Sequence, residues 1–104
     1  MNNNELYKQA FDKFGFKSQL VVAVEELSEL INEIAKTLNG KNPRGLAGLI
    51  DEIADCRIMI EQLEYIFEIE NSVEIRKIEK LAVLKKYIDN ENFDFKKWVK
   101  GDLE

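Results

Sequence analysis

Leu20, Val24, Leu27, Ile31, Ile34 and Leu38 recur at alternating intervals of four and three residues. That period places them on one stripe of an α-helix and excludes a strand, whose faces repeat every two residues. It predicts a helix over 19–38 with a bundle-type apolar seam. A second long helix is predicted over 46–69, where Leu46, Leu49, Ile50, Ile53, Ile60 and Phe67 form a seam that Leu63 and Ile66 widen. Between them, 39–45 reads Asn-Gly-Lys-Asn-Pro-Arg-Gly, a loop holding the only proline. Long helices joined by a short loop pack antiparallel.

The flanks extend the helical pattern. Residues 4–14 carry Leu6, Tyr7, Ala10, Phe11 and Phe14 at helical spacing, Gly15 ends that run, and Ser18 is placed to cap the next helix. Asn71 and Ser72 suggest a break before a fourth helix that reaches Ile88. The expected fold is all-α, a four-helix bundle over 1–88 followed by a tail, 89–104, with Phe93, Phe95 and Trp98. A chain of 104 residues buries a limited share of its surface. The helix over 46–69 is apolar on more than one side, so completion by a further copy of the chain, a homo-oligomer, is expected.

Charge and composition narrow the function. A formal charge of −5 argues against a nucleic-acid binder, which would carry a basic patch or stripe. One cysteine, Cys56, excludes an internal disulfide and fits a reducing, cytoplasmic setting. With no histidine there is no His-based zinc site, no Ser-His-Asp triad and no Glu-x-x-His di-iron pattern. The first residues lack the basic and apolar regions of a signal peptide, and no apolar run has membrane-spanning length.

Two acidic pairs remain, Glu26 with Glu29 and Glu52 with Asp55, each spaced i, i+3 and so on one helix face. Acids on a solvated helix face are ordinary, and Glu26 and Glu29 lie away from the Leu27–Ile31 seam. Against that, Glu52 and Asp55 interrupt an apolar line through Gly48, Met59, Leu63 and Ile66. Carboxylates brought together from neighbouring helices repel strongly unless cations bind them, and hard oxygen ligands suit Mg²⁺ or Mn²⁺.

The order and flanks of these pairs resemble the MazG-like family of all-α nucleoside triphosphate pyrophosphohydrolases. The likeness spans roughly residues 4–88. It rests on Glu26-x-x-Glu29, a spacer of 22 residues and Glu52-x-x-Asp55, flanked by Gln19-Leu-Val-Val-Ala-Val-Glu-Glu-Leu-Ser-Glu-Leu30 and Asp51-Glu-Ile-Ala-Asp-Cys-Arg-Ile-Met-Ile-Glu-Gln-Leu63. The resemblance implies hydrolysis of an NTP or dNTP between the α- and β-phosphates, giving a monophosphate and pyrophosphate. It also implies use of Mg²⁺, assembly as dimers or tetramers, and Glu26, Glu29, Glu52 and Asp55 as metal ligands. By the same analogy Met59 lines the nucleotide pocket and Gln19 contacts substrate.

Further candidates are Glu25 or Glu33 as a base or outer ligand, and Lys36, Arg44 and Lys80 as donors to phosphate oxygens. Each has a plain alternative as a solvated surface charge. Some relatives carry a polar residue three or four positions after the final Asp; here Ile58 and Met59 stand there, so the base is not named. The competing reading is a helical module that binds a partner or a nucleotide without turnover.

Overall fold

A computed structural model describes residues 2–90. They form four α-helices and no strand: α1 (Asn3–Phe14), α2 (Phe16–Leu38), α3 (Gly45–Phe67) and α4 (Glu70–Ile88). The chain divides into two compact units, Met1–Glu68 and Ile69–Glu104. Of the tail expected over 89–104, residues 91–104, with Phe93, Phe95 and Trp98, lie outside the described residues.

In the first unit α2 and α3 form a hairpin, and α1 packs across both. Asn2 caps α1 by accepting a hydrogen bond from the Glu5 backbone N–H at 2.9 Å, and Gly15 ends it at φ 93°. That backbone conformation is nearly closed to other residues, and it lets α2 begin at Phe16 without a linker. Ser18, the expected cap, therefore lies inside α2. Tyr7 and Phe11 are the buried residues of α1. Phe11 meets Phe16, and Phe16 meets Phe67 edge-on at 5.6 Å, while Phe14, Phe16 and Phe67 stay about half exposed.

The α2–α3 register follows from two contacts. Glu33 lies against Gly48, and Cys56 directs its thiol to the Glu26 carbonyl at 3.3 Å. The helices are thus antiparallel, as expected. The face they share differs from the expectation. Buried on α2 are Gln19, Ala23 and Glu33, with Glu26 half-buried. Buried on α3 are Gly48, Glu52, Cys56, Met59 and Gln62. The apolar seam of α2 points outward, with Val24 65%, Ile31 67% and Leu38 82% exposed, and Leu46 and Ile50 on α3 stand out equally. The polar stripe faces in where small residues, Ala23, Gly48 and Cys56, allow close approach of the helices, and ion pairs to Arg44 hold Glu33 and one oxygen of Glu52.

α3 ends at Phe67, the last residue of its seam and two short of the expected 69, because Glu68 adopts a left-handed conformation, φ 55° and ψ 46°. Asn71 and Ser72 consequently fall in the first turn of α4. That helix places Glu70 in its first turn and Lys85 and Lys86 in its last, in line with the helix dipole. Ile75, Ile78 and Leu81 are largely exposed.

Candidate metal centre

Antiparallel pairing brings the two acidic pairs to one level. Glu26, Glu29, Glu52 and Asp55 each offer a carboxylate oxygen, and these four atoms lie within 4.8 Å of one another. Glu52 is buried, Glu26 half-buried, and Glu29 and Asp55 open to solvent. The cluster therefore has a closed side and an open side. Residues facing away from the apolar seam, where a solvated face was the plain alternative, build the helix interface.

Two oxygens in this cluster, Glu26 Oε2 and Glu52 Oε2, are buried without a hydrogen-bond partner. Leaving a buried polar atom unsatisfied is costly, and more so for a charged one. Burial raises the Glu26 carboxyl above its ordinary range, and Glu29, Asp55 and Glu52 push it the same way. Cys56 is raised by burial first and by the same carboxylates second, so it rests as a buried thiol, not a reactive thiolate. An all-oxygen donor set with orphaned, mutually repelling carboxylates fits a hard divalent cation.

One end of the cluster is tied to the α2–α3 loop. Arg44 Nη1 donates to Glu52 Oε1 at 3.2 Å and to Glu33 Oε1 at 3.0 Å, while Nη2 donates to Asp51 Oδ2 at 3.0 Å. Its hydrogen bond to Glu52 strengthens the guanidinium's hold on its proton, helped by the charges of Glu33, Glu52 and Asp51. Asn42 completes the arrangement. Its Nδ2 donates to Glu33 Oε2 at 2.7 Å, and its Oδ1 accepts from the Arg44 and Gly45 backbone N–H groups.

Glu33 is thus a buried structural acid, 3% exposed, rather than a solvated one. Gly48 is the reason it fits. A Cβ there would stand 2.7 Å from Glu33 Oε2 and 2.9 Å from Arg44 Cβ. Gly48→Ala is expected to destabilise the chain by about 1–3 kcal/mol through overpacking, outweighing the roughly 1 kcal/mol that alanine gains in a helix interior. Urea unfolding of the two proteins measures this.

The other candidates separate. Gln19 and Met59 are buried on the same helix stripes as the acids. The register that pairs Glu26 with Cys56 sets Gln19 near the level of Gln62, which is also buried and whose Oε1 has no partner. Glu25 is exposed and outside the cluster, and Lys36 is half-buried near the end of α2. Lys80 belongs to α4, in the second unit. Asn42 carried no signal in sequence beyond an Asn-Pro step, and Asp51 and Gln62 none beyond their place in the flank of the second acidic pair. No helix among the described residues is long and apolar enough to cross a membrane. Compared with family models, curated proteins and solved structures, the chain gives no match.

Proposed function

We propose that this chain is a Mg²⁺-dependent nucleoside triphosphate pyrophosphohydrolase of the MazG-like kind, cutting between the α- and β-phosphates. The observation that carries this reading is the cluster itself: four carboxylates gathered within 4.8 Å, two of them with buried oxygens that no protein group satisfies. Glu26, Glu29, Glu52 and Asp55 hold the cation, with Mn²⁺ a workable substitute. When bound, the metal neutralises phosphate charge and lowers the pKa of an attacking water.

The chain's own residues do the remaining work. Glu52 and Glu26 form the closed wall, and Glu29 and Asp55 face the solvent side from which a triphosphate arrives. Phosphoryl-type transfer needs positioning and charge neutralisation more than covalent help, and the thiol beside the cluster, Cys56, is buried with its pKa raised. An acidic chain of net charge −5 repels a free triphosphate, so the grip runs through metal, with Lys36 or Arg44 assisting.

The test is a panel of canonical, deoxy and damaged triphosphates followed by phosphorus NMR. A nucleoside monophosphate with intact pyrophosphate is the expected first product, and only with Mg²⁺ or Mn²⁺ present. Orthophosphate as the first product overturns the cleavage site, and silence across the panel favours the non-catalytic module.

A further inference from the structure

Arg44 does something for Glu52 that the metal site needs and that the acidic motif does not supply. Glu52 is 7% exposed, and its two oxygens are treated differently: Oε1 accepts from Arg44 Nη1, whereas Oε2 has no partner. A carboxylate free to rotate would offer a cation either one oxygen or both. Here the guanidinium occupies one of them.

The guanidinium is itself fixed by two further acids, and the Arg44 backbone by Asn42. The buried Glu33 accepts from the same Nη1, Asp51 takes Nη2, and Asn42 holds the Arg44 backbone N–H while also donating to Glu33. Glu33 in turn sits in the space left by Gly48. No ligand of the cluster depends on Glu33 directly, yet Glu33 is as deeply buried as any of the described residues.

Resting on the metal site proposed above, we infer that Arg44, anchored by Glu33, is a positioning residue that makes Glu52 a one-oxygen ligand and thereby sets a preference for Mg²⁺ over Ca²⁺. The chemistry behind this is coordination number. Mg²⁺ demands near-octahedral geometry with few, single-oxygen contacts, whereas Ca²⁺ takes six to eight oxygens and readily accepts a carboxylate through both. Releasing Oε1 frees Glu52 to chelate, which helps the larger ion and not the smaller. Lysine cannot replace arginine here, because one ammonium does not present the planar fork that reaches Glu33, Glu52 and Asp51 together.

The experiment measures metal alone, without nucleotide or turnover. Chelator-treated full-length parent, Arg44→Lys, Glu33→Gln and a remote Lys8→Ala control are titrated with MgCl₂ and CaCl₂ by calorimetry, and with MnCl₂ by electron paramagnetic resonance. Arg44→Lys and Glu33→Gln should lower Mg²⁺ affinity by about 10–100-fold, the usual effect of losing an outer partner of a ligand. Ca²⁺ affinity should fall by less, so the Mg²⁺/Ca²⁺ ratio drops, while Lys8→Ala keeps the parent's ratio. A role confined to bracing the hairpin would weaken both ions together. Helical circular dichroism identifies which variants are folded, and Glu33→Gln keeps shape and volume should Arg44→Lys fail to fold. Folded variants with the parental ratio overturn the inference while leaving the metal site standing. A parent that binds none of these ions removes both.

Discussion

Asp55→Ala is expected to abolish metal-dependent pyrophosphate release and, in chelator, to raise the thermal midpoint of the protein. The two effects share one cause. Asp55 is an exposed member of a cluster whose four ligand atoms lie within 4.8 Å, so its charge opposes those of Glu26, Glu29 and Glu52 in the metal-free protein. Removing it relieves that repulsion. The same removal deletes a metal ligand, and activity should fall at least ~10³-fold, about 4 kcal/mol of transition-state stabilisation. Glu29→Ala should behave alike, for the same reason of exposure and membership.

Acidity reports on the same site, through the burial of Glu26 first and its acidic neighbours second. Because the folded Glu26 carboxyl is raised above its unfolded value, the stability it contributes is complete below the ordinary carboxyl range and is lost as pH rises through the raised value. In chelator the parent should therefore melt at lower temperature at pH 7 than near pH 5. Asp55→Ala should flatten that slope, and saturating Mg²⁺ should restore the parent alone. Full turnover by a folded Asp55→Ala protein would end the metal-ligand assignment.

The second large effect concerns assembly. Val24 and Ile31 lie on the outward seam of α2, 65% and 67% exposed, in line with Leu38 at 82%. Contiguous apolar surface of this kind marks an interface in a soluble protein. The parent is expected to run as a dimer or tetramer in light scattering. The double variant Val24→Asp/Ile31→Asp should run as a helical monomer of 12.1 kDa. Fully burying such a side chain is worth about 1.5–3 kcal/mol and about two-thirds of each remains to be covered, so the four lost per dimer come to at least roughly 4 kcal/mol, or about 10³-fold in dissociation constant. A stable parental monomer at micromolar concentration would refute the expectation. Met59 is a poor site for this experiment: it is buried within the chain, so a charge there reports on folding instead of assembly.

The helices were legible in the sequence because their apolar period is long and unbroken. Their ends were less so. Ser18 looked like a cap, but the turn was made by Gly15, whose unusual backbone needs no partner side chain. Asn71 and Ser72 looked like a break, but Glu68 took the left-handed position although nothing in its side chain favours it. Which stripe faces inward was misread for a physical reason. Periodicity finds the most apolar face, and in a chain that exposes that face the interior is decided by small residues and ion pairs. The four acids were legible as pairs, since spacing puts each on one helix face. Their support was not, because Arg44, Asn42 and Glu33 converge only when the loop has folded.

An interface of leucines alone tolerates sliding, because each rung resembles the next. The hairpin of α2 and α3 does not. Moving one helix past the other by a single turn, about 5.4 Å, would bring Arg44 or Glu52 to the place where Gly48 now admits Glu33. The Glu33 carboxylate would lose both its space and its guanidinium, and a buried charge without a partner is among the costliest errors a fold can carry. Misaligned hairpins should thus unravel and try again instead of persisting as near-native traps, so the ion network acts as a ratchet on alignment during folding.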